Sequence, residues 1–120
     1  MELIYISHPF TGNEELNRLD ARQITGRLSM RHQDEFIFIN PLDLFQGQSD
    51  FLEPDSLILK QALEVLRKCN GVVFCKGWQR SAGCRKEFAL ATKLGLPIWE
   101  SPELFTENVV WGEDECQKSR

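Results

Sequence analysis

The chain has 120 residues, 42% of them apolar and 27% charged, with a formal net charge of −4 at neutral pH. That length suits one domain with a real core and is too short for two. The acidic balance argues against a general nucleic-acid surface, which rests on Lys and Arg neutralising phosphates, and no apolar run reaches the roughly 20 residues of a membrane span.

Leu3 to Ser7 reads as a short buried strand, closed by the breakers Pro9 and Gly12. Asn13 is placed to cap a helix whose first turn carries Glu14 and Glu15 and whose apolar positions Ala21, Ile24 and Leu28 recur to about Arg31. Phe36-Ile37-Phe38-Ile39 is the second strand, ended by Asn40-Pro41. Leu42 to Pro54 reads as a loop with at most one helical turn.

Asp55 or Ser56 caps the next helix, with the stripe Leu59, Ala62, Leu63, Leu66 and Cys69 inward. Asn70-Gly71 signals a left-handed cap and leads into a third strand, Gly71 to Cys75. A further helix follows from Ala82 to Leu94, capped by Ser81 and Gly95, with Cys84, Phe88, Ala91 and Leu94 or Gly95 facing inward. Pro97-Ile98-Trp99 is the last strand. Beyond it, Leu104-Phe105 and Val109-Val110-Trp111 read as cover for an edge or a partner.

Alternating strands and helices imply an α/β fold: a small flavodoxin-like or Rossmann-like three-layer structure with a parallel sheet of about four to five strands. Residues 1–111 form the expected single domain and 112–120 a flexible tail. The opening residues lack the basic and long apolar stretches of a secretory signal, so a cytoplasmic protein is expected. Apolar surface left by so small a sheet suggests a homodimer.

Four cysteines show no CxxC pairing, and His8 and His32 are the only histidines. No metal site or cofactor is therefore expected, and Cys69, Cys75 and Cys84 read as reduced, buried thiols.

The segment from Gly77 to Glu87 carries the chemistry. It joins the third strand to a helix start, where α/β sheets bind ligands. Glu87 lies on the inward edge of its helix, and charged groups seldom occupy such places without a partner or a task. The plainer reading is a carboxylate favoured by the helix dipole and reaching back to water.

Between Lys76 and Lys86 the charged residues are all basic, including Arg80 and Arg85, which suits a small anion such as a phosphate, or simply a solvated loop. Ser81 and Gly83 at the helix start could grip that phosphate, and Trp78 could lie flat against a base or sugar. The first strand end, with Tyr5, Ser7, His8 and Gly12, should face Glu87 across a crevice. Neither a GxGxxG fingerprint nor a P-loop is present, which weakens dinucleotide and ATP-hydrolysis readings.

Tyr5-Ile6-Ser7-x-Pro9-x-Thr11-Gly12, together with Gly77-Trp78-x-x-Ser81-x-Gly83-x-x-x-Glu87, resembles the nucleoside 2-deoxyribosyltransferase-like superfamily. It is also similar to deoxynucleoside 5′-monophosphate N-glycosidases, over about Tyr5 to Ile98. The resemblance implies that Glu87 is a nucleophile attacking the anomeric carbon, with Tyr5 beside it. It implies that Ser81 and Gly83 contact phosphate or sugar hydroxyls, and that the substrate is a nucleoside or its 5′-monophosphate.

Three positions depart from the pattern. Ala62 occupies the place of the superfamily's assisting aspartate, and Asn70 that of a second aspartate. His8 stands where a glycine is usual. That leaves Asp55, Asp43, Gln61 or His8 to supply the acid, or a chain that binds a nucleotide without cleaving it.

Overall fold

A computed structural model describes residues 1–49 and 55–108. In chain order they form β1 (Glu2–Ser7), α1 (Glu14–Arg31), β2 (Phe36–Ile39), α2 (Pro41–Leu44), α3 (Gln46–Ser49), α4 (Asp55–Arg67), β3 (Gly71–Phe74), a 3₁₀ turn (Trp78–Arg80), α5 (Ala82–Leu94) and β4 (Ile98–Trp99). Residues 102–108 are helical. The four strands make one parallel sheet in the order β2-β1-β3-β4, and the fold is a three-layer α/β structure.

The chain steps from β1 to β2 on one side and then returns past β1 to β3 and β4 on the other. Crossovers of one hand put helices on opposite faces when the direction of travel reverses. One core accordingly joins Tyr5, Val72 and Phe74 to α4 and α5 through Ala62, Leu66, Cys84 and Ala91. The other joins Ile4, Ile6 and Val73 to Leu28 of α1 and to Phe105. The two-residue alternation of β1 and β3 feeds both cores. Reversal of strand order between β1 and β3 opens a crevice at their carboxyl ends.

Most element boundaries match the sequence pattern, and the exceptions have physical causes. The expected left-handed cap at Asn70-Gly71 does not form: positive φ among the described residues belongs to Gly12, Gly77 and Gly95. Asn70 instead extends the central β1–β3 ladder, its Oδ1 accepting from Leu3 N at 2.8 Å while its own N–H donates to Leu3 O at 2.7 Å. Gly71 is required by packing, since a Cβ there would meet Trp99 Cζ3 at 2.8 Å.

Two short helices, α2 and α3, occupy much of the stretch read as a loop; Asn40 caps α2 by accepting from Leu42 N. Asn13 precedes α1 without a side-chain cap bond. Leu94 is 40% exposed, so the inward stripe of α5 ends at Ala91, while Gly95 takes the expected left-handed cap.

Of the two uses expected of the tail, Phe105 covers the chain's own sheet rather than a partner. It is fully buried within its own chain, its ring centroid 4.8 Å from that of Trp99 and 5.2 Å from that of Phe36. Leu104 remains largely exposed. Val109, Val110, Trp111 and the tail 112–120 lie outside the described residues. Among the described residues no helix is long and apolar enough to cross a membrane.

Candidate active site

Tyr5 and Ser7 are two apart on β1, so their side chains leave the same face of the sheet. That face is covered by α5, where Glu87 lies one turn after Cys84 and one turn before Ala91, all three buried. The Tyr5 hydroxyl donates to Glu87 Oε2, and the Ser7 hydroxyl donates to Oε1 at 2.6 Å. Both carboxylate oxygens are thereby held, and the group is fixed at the crevice between β1 and β3.

Burial disfavours the charged form and raises the Glu87 pKa, with the hydrogen bonds from Ser7 and Tyr5 pulling the other way. The Tyr5 phenol is pushed well above its usual range by burial and by the adjacent carboxylate. It therefore stays a hydrogen-bond donor. Burial also raises the thiol of Cys84, against its side-chain hydrogen bonds with Ser7 and Ser81.

Glu87 lies on the wall of a cavity of about 300 Å³. That is the lower end of the range for small-molecule sites, roughly 300–1,000 Å³. Tyr5, His8, Ser81, Gly83 and Glu87, all expected there, do line it. Ser81 caps α5, its hydroxyl accepting from Cys84 N at 3.2 Å. At Gly83 a Cβ would make ordinary contacts, at 3.8 Å to Leu59 Cδ1.

Other expected residues take different positions. Ser7 reaches the site through Glu87. Trp78 packs, its ring stacked on Phe88 at 4.6 Å and 14°, and is not on the cavity wall. Arg80 and Arg85 also lie off that wall, Arg85 donating to the Gln79 carbonyl at 2.9 Å. Gly12 forms the exposed turn before α1, with φ of 103°.

His8 is buried and fully engaged: Nε2 meets Asp20 Oδ2 at 2.7 Å and Nδ1 meets the Pro9 carbonyl at 2.7 Å. Both partners are acceptors, so neither ring nitrogen is left to serve the cavity. Among the other acid candidates, Asp43 pairs with Arg22 at 2.7 Å, and Asp43 and Gln61 lie off the wall. The Asp55 side chain is outside the described residues.

Several wall residues were not read as such. Lys86 stands exposed at the rim, and Phe10, Pro41, Leu42, Phe45, Ile58 and Leu59 supply apolar surface. Ala62 lies on the wall too, where its methyl extends the apolar surface. The spacing of Tyr5 and Ser7 was a legible signal for two hydroxyls on one carboxylate. The α2 contribution needs the tertiary fold.

A larger hollow of about 630 Å³ lies between α1 and the helical segment 102–108. It carries Arg27, Arg31 and Lys76 against Asp20, Glu103 and Glu107, all exposed side chains. Solvated charges of both signs need no special task, whereas a buried, oriented carboxylate does. Chemistry is therefore assigned to the smaller cavity. Among the described residues no cluster of His, Cys, Asp and Glu could hold a metal ion.

No curated protein and no solved structure matches the chain. A family model described as a domain of unknown function, DUF4406, matches residues 2–100 and so covers β1, α2, α4 and α5, which line the cavity. The chain belongs to the DUF4406 family.

Proposed function

We propose that the protein cleaves the N-glycosidic bond of a (deoxy)nucleoside or its 5′-monophosphate, as an N-glycosidase or deoxyribosyltransferase with Glu87 as nucleophile. The observation that carries this reading is the buried Glu87 carboxylate on the cavity wall, held at both oxygens by Tyr5 and Ser7. An oxygen of Glu87 bonds to the anomeric carbon as the carbon–nitrogen bond breaks, and the electron pair leaves with the base. Water then attacks the sugar ester and regenerates the carboxylate. This is the retaining glycosidase scheme, in which the first carboxylate forms a covalent intermediate.

Lys86 at the rim and the first turn of α5, with Ser81 and Gly83, support an anionic end such as a 5′-phosphate. The apolar wall supports a planar base. Free thiols at Cys69, Cys75 and Cys84 fit a reducing, cytoplasmic setting, which we include in the proposal. Exposed Leu16, Leu19 and Ile37 offer apolar surface to a homodimer.

A second reading is a nucleotide-binding module that does not cleave. It is favoured by Ala62 on the wall, where the resemblance calls for an assisting acid. Incubation with ribo- and deoxyribonucleosides and their monophosphates, with chromatography of free base, separates the two. Base release that is lost in Glu87→Ala supports the N-glycosidase. Tight monophosphate binding without release from any substrate supports the binding module.

A further inference from the structure

Helix α1 presents apolar residues on two faces. Ala21 and Leu28 are buried, whereas Leu16, Leu19 and Met30 on the opposite face are 60%, 50% and 74% exposed. Gln23 and Gly26, exposed as well, complete a line whose successive members lie three, four, three and four residues apart. That is the a and d spacing of a coiled-coil seam. Gly26 is informative within it, because glycine weakens a helix interior relative to alanine. Among the described residues nothing requires it, since a Cβ there would meet no atom within 4 Å. A facing helix does gain from it: a seam position without a side chain is a hole that a side chain of the second helix can fill.

The charges beside the seam set the direction of that second helix. Parallel pairing of two copies of α1 brings Glu15 to the second copy's Asp20 and Arg22 to its Arg27, like charge against like in both cases. Antiparallel pairing about a two-fold axis brings equal flanks together instead. With Leu19 opposite the second copy's Met30, Asp20 then falls between that copy's Arg27 and Arg31. Asp20 binds His8 through Oδ2 and keeps Oδ1 for this contact. Arg27 and Arg31 make no ion pair among the described residues.

We infer that α1 pairs antiparallel with α1 of a second copy of this chain. Leu19 packs on the second copy's Met30, Gln23 lies over its Gly26, and Asp20 sits between its Arg27 and Arg31. The polar Gln23 at one seam position fixes the register. This inference rests on the homodimer included in the proposal above and gives it a surface, whereas the bond-cleaving chemistry is independent of it. Glu87 lies on the face covered by α4 and α5, across the sheet from α1, so pairing leaves both cavities open. One pair of 18-residue helices is about 27 Å long and buries less than a standard interface of about 1,600 Å², so association should fall in the micromolar range.

Sedimentation equilibrium of the full chain across the micromolar range tests it, beside Leu19→Glu and Met30→Glu. Both positions are exposed in a single chain, so the variants should keep the parent's circular dichroism spectrum. The expected result is a reversible dimer that each variant weakens at least about tenfold, since each sets a charge in the apolar seam. Register is read by cross-linking in a Cys116→Ser background. Leu19→Cys combined with Met30→Cys should give a covalent dimer on mild oxidation, and Leu19→Cys alone should not. A dimer indifferent to both charged variants, or one cross-linked through Leu19→Cys alone, would overturn this inference and leave the homodimer standing. A monomer throughout would overturn both, handing the seam to another segment of the chain or to a different protein. Neither result bears on the N-glycosidase reading, which base release tests separately.

Discussion

Replacing Tyr5 by Phe removes one hydroxyl from a fully buried ring and leaves Glu87 with Ser7 as its remaining side-chain donor. A hydrogen bond to a buried charged group contributes about 1.5–3 kcal/mol, so the variant should lose that much at neutral pH. In a domain of this size that corresponds to a fall in melting temperature of about 5–15 °C. The loss should depend on pH in a defined direction. The bond from Tyr5 lowers a carboxyl pKa that burial raises, so removing it raises the folded-state pKa further. A raised carboxyl contributes stability at low pH that disappears as pH climbs through the folded value. The gap between Tyr5→Phe and the parent should therefore widen from pH 4.5 to pH 8, and thermal unfolding by circular dichroism measures it. An unchanged melting temperature at pH 7.5, or a loss that is flat with pH, would refute the claim that Tyr5 holds an ionised Glu87.

Glu87→Gln should abolish turnover yet raise stability at pH 7.5 by about 0.5–2 kcal/mol, since the buried charge goes while a group able to bond both hydroxyls stays. That advantage should shrink toward pH 4, where the parent carboxyl is protonated; denaturant melts at both pH values check it. Because the ionised form is the nucleophile, the acidic limb of the pH–rate profile should lie above the ordinary carboxylate range. Lys86→Ala should weaken monophosphates more than bare nucleosides in calorimetric titrations, while Arg80→Ala and Arg85→Ala, off the wall, should change both little. Gly71→Ala should cost about 1–3 kcal/mol, because its Cβ would press on the Trp99 ring at 2.8 Å.

Local signals were legible where local physics decides. Alternation in β1, the Ser81 and Gly95 caps of α5 and the inward edge holding Glu87 could all be read from residue spacing. Signals that depend on tertiary neighbours could not. Asn70-Gly71 carries the residues of a left-handed cap, but Asn70 is drawn to Leu3 and Gly71 is pressed by Trp99, two contacts made across the sheet. Trp78 looked available to a ligand because the partner it stacks on, Phe88, comes ten residues later on α5. The basic run from Lys76 to Lys86 is continuous in sequence but diverges in space: Lys86 reaches the cavity, and Lys76 borders the hollow on the opposite face. Phe105 lacked a helical pattern around it, and its burial rests on Trp99 just before it and on Phe36 and Phe38 of β2, far earlier in the chain.

The central claim is that Glu87 bonds to the anomeric carbon. A 2-fluorinated sugar analogue carrying a good leaving group destabilises the electron-poor transition state and slows release of the ester more than its formation is tolerated to slow, so the intermediate accumulates. Intact-protein mass spectrometry after incubation with 2-fluorinated nucleosides and their 5′-monophosphates, followed by peptide mapping, detects it. The account predicts one added sugar per chain, located on Glu87 and lost in Glu87→Gln. Heterocycle released at full rate by Glu87→Ala, or a sugar adduct mapped to another residue, would contradict it.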